Sequence, residues 1–436
     1  MVNKWVFEPL DKLVDEIVDR RGITPLKLGS DFLPTGYRVI SAKVIKDSRV
    51  DLDADEPRFV DYATYRKWMR TPLMADDVIL TSEAPLGEVA YINEPVNWCL
   101  GQRLFAIRTN KKRLNGRFLY YALQFKDVMH DLQSRATGTT AQGIRQTELR
   151  RIGIPLPPIG EQRAIAHILG SIDDKIKINR EMNATLEAMV RTTFKSWFVD
   201  FNPVLAKSEE RKQILNRKSV DLFPSEFQNS EIGRIPKGWK IGCLADVAIF
   251  NNETLSVKDH LENIDYIEIS EVSLGDVGKI TRYIRGNEPS RARRRLRHGD
   301  TVISTVRPDR GSHFLCLNPP ETLIASTGFA TLTPKEGRWA FVYLATTQPE
   351  IGKELGRLAD GGAYPAIRSE VIEKLKIVVP DDGHVIDAFE AIVQPILLRI
   401  ENNRSENKTL ASIRGALLPK LLSGELRANK INVGES

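Results

Sequence analysis

The chain has 436 residues, 42% hydrophobic and 28% charged, a balance that fits neither a disordered polymer nor a membrane-embedded protein. Lysines and arginines number 63 against 57 acids, a net charge of +6, so a polyanion partner must be held by local clusters and not by an all-over cationic surface. At roughly 100–200 residues per domain, two to four domains are expected.

The opening stretch MVNKWVFEPL lacks a basic segment followed by an apolar one, and no apolar run nears the roughly 18 residues of a membrane span. Neither a secretory signal nor a span is expected. Cys99, Cys243 and Cys316 are far apart and form no Cys-x-x-Cys pair, which argues against a disulfide framework and a zinc site. A cytoplasmic location follows as the expectation.

Residues 1–157 read as a first mixed domain. YRVISAKVI, DDVILT, GEVAYI and QRLFAIR are short, rich in Val, Ile and aromatics, and bounded by Gly, Asp, Asn and Pro, the pattern of strands. GRFLYYALQFKDVMHDLQ reads as helical. After Pro157-Pro158 the period changes. Ile165, Ile168, Ile172, Ile176, Met182, Leu186, Met189, Phe194 and Trp197 recur near every third or fourth residue, which predicts a helix of about 35 residues within 158–200, on the order of 50 Å long. Asn179 and Asn183 fall on or beside its seam, where polar residues set register at a cost in stability.

Residues 201–234 are charged and irregular and read as a linker. A second mixed domain follows over 235–380, with strand patterns IDYIEIS, GDTVIST, HFLCL and ASTGFATLT and the helical patch WAFVYLATTQPEIGKEL. Trp239 at its start echoes Trp5. Residues 381–436 then read as a second spacer helix and tail, opened by Asp382 as a cap. Phe389, Ile392, Ile396, Ile400, Leu410, Ile413, Leu417 and Leu421 form its seam, with Asn403 and Asn407 beside it. Pro395 is expected to kink this helix or delete one hydrogen bond.

The two halves repeat each other at a period of about 220 residues. DDVILTS (Asp76 to Ser82) matches GDTVIST (Gly299 to Thr305), and ATGTTAQGIRQTEL matches ADGGAYPAIRSEVI, placing Ile144-Arg145 on Ile367-Arg368. YRVIS matches YIEIS, and NREMNATL matches NRSENKTL. Four matched blocks in one order describe a duplicated α+β domain, each copy followed by a long helix. The favoured arrangement pairs the two helices through Ile165, Ile172, Ile176, Asn179, Asn183 and Leu186 on one side and Ile396, Ile400, Asn403, Asn407, Leu410 and Leu417 on the other. Packing of each helix on its own domain is the alternative.

Searches for catalytic chemistry return little. His130, His167, His260, His298, His313 and His384 form no His-x-x-x-His pair, and Gly278-Lys279 lacks the flanks of a P-loop. Asn318-Pro319-Pro320 is followed by Glu321, not by a base-stacking aromatic. Pro380-Asp381 with Glu406 and Lys408 makes a nuclease pattern only if a helix is ignored. No metal site and no catalytic residue is expected.

Basic clusters are the stronger signal, because arginine forks fit phosphate oxygens and guanine edges. Arg291, Arg293, Arg294, Arg295 and Arg297 fall in SRARRRLRH, with Arg307 and Arg310 just beyond. Arg66, Lys67 and Arg70 surround Trp68. The matched loops add Thr139, Thr140, Gln142 and Arg145 in the first copy and Tyr364 and Arg368 in the second. These loops either contact DNA or make tight turns braced by their arginines.

Two variable-looking domains, each ending in a G-x-x-x-x-x-I-R loop and a strand such as RIGIPLPP, then a long helix, resemble the DNA-specificity subunit of type I restriction–modification systems. LPPIGEQRAIAHILGSIDDKIKINREMNATLEAMVRTTFKSWFVDF resembles that family's central spacer, and LLPKLLSGEL (Leu417 to Leu426) resembles its C-terminal end. The resemblance implies two target-recognition domains joined by two long antiparallel coiled-coil spacer helices. Each domain would read one half of an asymmetric bipartite site on double-stranded DNA, with the helices fixing the gap. Catalysis would lie elsewhere: two modification subunits would carry S-adenosylmethionine and adenine methylation, and restriction motor subunits would bring ATP and Mg. A rod of about 50 Å would hold the half-sites no more than about 15 base pairs apart. Two competing classes remain: a coiled-coil scaffold that binds only proteins, and a DNA enzyme with an unrecognised active site.

Overall fold

Val78–Thr81 and Leu104–Thr109 are apolar at almost every position, and both become central strands buried on two faces. Side chains alternate across a strand, so Val78, Leu80, Phe105 and Ile107 enter one core while Ile79, Leu104 and Ala106 enter another. The structure, a computed structural model, describes residues 5–138, 142–208, 221–256, 258–360, 362 and 365–428. It divides into two units, Met1–Ile178 with Glu406–Ser436, and Asn179–Ser405. This division cuts both long helices and does not follow the segment ends expected at 157, 200, 234 and 380.

In the first unit, an antiparallel sheet orders the strands Val14–Asp19, Leu104–Thr109, Val78–Thr81 and Val89–Tyr91. A second sheet places Tyr37–Ile40 between Phe59–Val60, antiparallel, and Cys99–Leu100, parallel. Phe7–Pro9 pairs with Gly153–Pro155. The helices Gly116–Ala122 and Lys126–Ser134 supply Phe118, Tyr121, Val128 and Leu132 to the core of the first sheet.

The second unit repeats this plan. Its first sheet orders Ala248–Phe250, Phe329–Pro334, Asp300–Ser304 and His313–Cys316. Its second sheet pairs Asn263–Ile267 antiparallel with Thr281–Ile284 and parallel with Leu323–Ser326, and adds Ala292–Arg295 beyond. Trp239–Cys243 pairs with Lys376–Pro380, as Phe7–Pro9 does with Gly153–Pro155. A 3-10 turn and a two-residue hairpin follow the equivalent strands in both units, at Ala42–Val50 and Ile269–Val277. The duplication read from the sequence is therefore a duplication of strand order and strand direction.

The copies differ in one region. Between Val60 and Val78 the first unit inserts the helix Tyr62–Trp68. Thr281–Ile284 takes the place of Phe59–Val60, and between it and Asp300 the second unit instead carries the strand Ala292–Arg295.

Each long helix spans 40 residues, Ile159–Phe198 and His384–Ser423, or about 60 Å at 1.5 Å per residue. The first begins directly after Pro158 and includes Gly160 and Gly170, so it is longer than the apolar pattern alone indicates. At Gly170 the Arg117 guanidinium packs close on the helix: Arg117 donates to the Gly170 carbonyl at 3.0 Å, and a Cβ there would lie 2.5 Å from the guanidinium carbon and displace it. The second helix starts with the His384 N–H donating to Asp382 and runs through Pro395 without a break.

The helices pair antiparallel in both units. In the first, Arg414 donates to Asp173 at 2.6 Å, Lys175 faces Glu406 at 3.4 Å, and the Ala428 N–H donates to buried Glu161 at 2.6 Å. In the second, Asn403 donates to the Asn183 side chain at 2.8 Å, Asn183 donates to the Ile400 carbonyl at 3.1 Å, and Arg404 pairs with Glu187 at 2.7 Å. The seam is Ile165, Leu169, Ile172, Ile176, Asn179, Asn183, Leu186, Val190, Phe194 and Trp197 on one helix. On the other it is Phe389, Val393, Ile396, Leu397, Ile400, Asn403, with Asn407, Leu410, Arg414 and Leu417 half-buried, then Leu421.

Four expected seam residues are corrected: Met182, Met189, Ile392 and Ile413 are exposed, and the seam runs instead through Asn183, itself among the expected pairing residues, and through Val190, Val393 and Arg414. At Met182 and Ile413 apolarity favoured the wrong one of two adjacent residues; at Met189 and Ile392 both neighbours are apolar, so hydrophobicity could not choose between them. Asn183→Ala removes the amide oxygen that accepts from buried Asn403, whose other contact is the Met182 sulfur at 3.4 Å, and should cost about 1–3 kcal/mol in chemical unfolding, whereas Met189→Ala on the exposed face should stay within about 0.5 kcal/mol.

The expected linker, 201–234, is structured where it is described. Asn202–Lys207 is a short helix, and Phe227–Ser230 forms a hairpin with Gly233–Pro236. Phe201, Phe223 and Phe227 pack with Trp197, Phe198 and Trp239, so aromatic side chains organise what charge made look irregular. No described helix is long and apolar enough to cross a membrane.

One buried histidine makes the second unit acid-sensitive. His313 is 8% exposed, and its ring centroid lies 6.0 Å from that of Tyr343. Burial, then the Arg191 and Arg404 charges, pull it from 6.5 down to about 4. The unfolded chain therefore takes up this proton first. The contribution to stability is full above about pH 6.5 and is lost as pH falls through 4, by about 3 kcal/mol in all. Unfolding curves at pH 7 and pH 4 should differ less for His313→Gln than for the wild type by up to that amount.

Candidate nucleic-acid interface

The two I-R loops are built alike. In the first unit Thr137 and Gly143 exchange both backbone hydrogen bonds at 2.9 Å, and the Ile144 N–H donates to the Ser82 carbonyl at 2.9 Å. In the second, Asp360 and Ala366 exchange bonds of 3.0 and 2.8 Å, and the Ile367 N–H donates to the Thr305 carbonyl at 2.8 Å. Ile144 and Ile367 are buried. Each loop is thus closed on itself and pinned to the end of the central strand, Val78–Thr81 or Asp300–Ser304.

The arginine that follows has the same backbone in both copies, φ −82° and ψ 150° at Arg145, φ −81° and ψ 149° at Arg368. Both side chains are exposed, and neither makes an ion pair among the described residues. The bracing is done by backbone bonds and buried isoleucine, not by guanidinium. Gln142 is also exposed. Thr139, Thr140 and Tyr364 lie outside the described residues.

Sequence reading missed two basic neighbours of the first loop. Arg21 donates to the Ile144 carbonyl at 3.3 Å and is held by Asp19 at 2.7 Å, while Arg103 pairs with Glu83 at 3.1 Å. They are remote from residue 144 in sequence, and only strand pairing brings them there. In the second unit the Arg307 N–H donates to the Pro365 carbonyl at 2.8 Å, and Arg310 is exposed one turn on.

The remaining basic candidates sit where the two copies differ. Asp61 caps the helix Tyr62–Trp68 by accepting from the Thr64 N–H at 2.6 Å. Trp68 is 2% exposed and donates to the Leu100 carbonyl at 3.0 Å, and Tyr65 stacks on Tyr37 with centroids 4.5 Å apart. These aromatics seat the helix. Trp68, read with the basic residues around it, is an anchor and not a surface group. Arg66, Lys67 and Arg70 are exposed.

The arginine run of the second unit is less available than its charge indicates. Arg293 faces Glu288 at 3.6 Å, Arg295 pairs with Asp259 at 3.0 Å, and Arg297 pairs with Glu253. Arg294 is half-buried in the strand Ala292–Arg295, and burial lowers its pKa. Arg291 alone in the run is exposed without an ion pair among the described residues.

Asn318-Pro319-Pro320 is a loop between the strands His313–Cys316 and Leu323–Ser326, and Glu406 and Lys408 lie within the second long helix. Among the described residues no group of three or more His, Cys, Asp or Glu side chains could hold a metal.

The family described as "Type I restriction modification DNA specificity domain" matches residues 34–188 and again 236–403, once on each copy. The chain belongs to this family. The MjaIX type I restriction enzyme specificity subunit of Methanocaldococcus jannaschii is 25% identical over 359 residues, covering 81% of this chain and 78% of the relative. The HindI specificity subunit of Haemophilus influenzae is 27% identical over 406 residues, covering 80% and 86%. The crystal structure of a type I restriction-modification S subunit from M. genitalium covers 96% of each chain with a TM-score of 0.59 at 18% identity, a likeness of fold. As a specificity subunit the chain supplies DNA-recognition domains and is not itself the catalyst.

Proposed function

We propose that each mixed domain of this specificity subunit reads one half of an asymmetric bipartite sequence on double-stranded DNA, and that the paired helices set the gap between the halves. The observation that carries this reading is the pattern of likeness and difference between the copies. Strand order, the I-R loops and the long helices are shared, while the region between the second-sheet strands is rebuilt, as helix Tyr62–Trp68 in one unit and strand Ala292–Arg295 in the other. A common frame with unlike outer surfaces suits two readers of unlike sequences.

The helices are also the expected docking surface for two modification subunits, which would bring S-adenosylmethionine and methylate adenine. Restriction motor subunits would add ATP and Mg for cleavage. The family membership supports this division, and a cytoplasmic location goes with it. Methylome sequencing of a host expressing the chain with its partner subunits tests the reading. One two-part motif with unlike halves and a fixed gap is the expected result. Turnover by the lone chain with S-adenosylmethionine or Mg²⁺ and DNA would refute it.

A further inference from the structure

In both copies the I-R loop ends in an exposed arginine, Arg145 or Arg368, with matching φ and ψ. Resting on the reading of the domains as half-site readers, we propose that Arg145 and Arg368 are positioning residues that grip the sugar-phosphate backbone of the duplex at equivalent places in the two half-sites, and that neither reads a base.

The argument begins with what differs. Two domains that recognise different sequences must differ where they touch base edges. Here the difference is concentrated in the outer region, around Arg66, Lys67 and Arg70 in one unit and Arg291 in the other. A contact made in the same way by both domains must meet something both half-sites possess, and the phosphate backbone is the element of DNA that does not change with sequence.

The geometry suits that task. The Arg145 and Arg368 backbones agree within 1° in φ and ψ, each fixed by a closed loop bonded to a central strand. The isoleucine before each arginine is buried and bonded to the end of a central strand, which fixes where the arginine leaves the fold. The available charge is also selective. Arg21 and Arg103 beside the first loop are tied to Asp19 and Glu83, while Arg145 makes no ion pair among the described residues. Arg368 has the same freedom, with exposed Arg310 in the segment beside its loop. A planar fork of five donors suits bidentate contact with phosphate oxygens.

The test uses the assembled complex with modification subunits and a fluorescent duplex carrying the methylated motif. Arg145→Gln, Arg368→Gln and the double variant are titrated from 50 to 200 mM salt, beside Arg145→Lys and Arg368→Lys. Removing one phosphate contact should lower the log–log salt slope by about 0.9, so affinity lost across this salt range shrinks by about threefold per arginine. The double variant should lose twice that slope, the Lys variants should keep it, and the methylated motif should not change. The same factor should appear on duplexes mutated in either half-site. Loss confined to duplexes altered in one half-site would show base reading and overturn the proposal. So would an unchanged slope, including one accompanied by failure of the modification subunits to assemble, which would assign the loops to a protein contact. Should the wild-type complex itself show no salt-dependent, sequence-selective binding, the half-site reading fails, a result separate from either of these.

Discussion

Inserting one heptad into each long helix, between Ile176 and Asn179 in the first and between Asn403 and Asn407 in the second, should lengthen the methylated motif's gap and leave both half-sites unchanged. Seven residues add about 10 Å of helix, so the gap should grow by up to about three base pairs. Both helices must be extended because they run antiparallel, and lengthening one alone would shift Asn403 away from Asn183. A whole heptad returns the seam to the same face, so Ile165 to Ile176 and Asn183 to Trp197 keep their partners. Methylome sequencing reads the outcome directly. Altered half-sites with an unchanged gap would refute the ruler.

The second large effect is expected at the helix Tyr62–Trp68. Arg66→Ala with Arg70→Ala removes two exposed guanidiniums from the region present only in the first copy. If they read base edges, each lost contact costs about 1–3 kcal/mol, and the methylated motif should become permissive in one half only. The variant should fold normally, since the helix is held by its other face. Trp68→Ala is the contrasting control: it empties a fully buried site and breaks the bond to the Leu100 carbonyl, so it should cost about 3–5 kcal/mol and lower soluble yield. Changes in both half-sites after Arg66 and Arg70 are replaced would remove these residues from sequence reading.

Much of the fold was legible because it is written twice. Weak matches such as YRVIS with YIEIS became persuasive only in a fixed order, and the structure shifts this one by two residues: Ile40 pairs with Leu100 as Ile267 pairs with Ala325, so Tyr37 corresponds to Ile264 and not to Tyr266. The helix seam was harder. At Met182 the more apolar neighbour is exposed while Asn183 is buried, and at Met189 and Val190, both apolar, it is Val190 that is buried. Hydrophobicity alone cannot place a seam that contains buried amides and the half-buried Arg414, whose partner Asp173 also accepts from Tyr121 at 2.6 Å. Charge was the least faithful guide. The run from Arg291 to Arg297 reads as an exposed basic patch, yet Glu253, Asp259 and Glu288 neutralise much of it through pairings that no local pattern reveals. The first loop's arginine gained weight for the opposite reason, since Arg21 and Arg103 beside it are paired and Arg145 makes no ion pair among the described residues.

The first unit is assembled from two separated stretches of chain, and synthesis imposes an order on them. Leu421, Leu422 and Ala428 belong to the same core as Leu10, Phe118 and Ile165, and Trp5 donates to the Leu421 carbonyl at 3.2 Å. At about 5–20 residues per second, the ribosome needs on the order of 10–50 s to pass from residue 178 to 428. Asn179–Ser405 is contiguous and can close as it emerges. The half made first is therefore finished last, and until then the apolar surface that Leu421, Leu422 and Ala428 cover stays open to water.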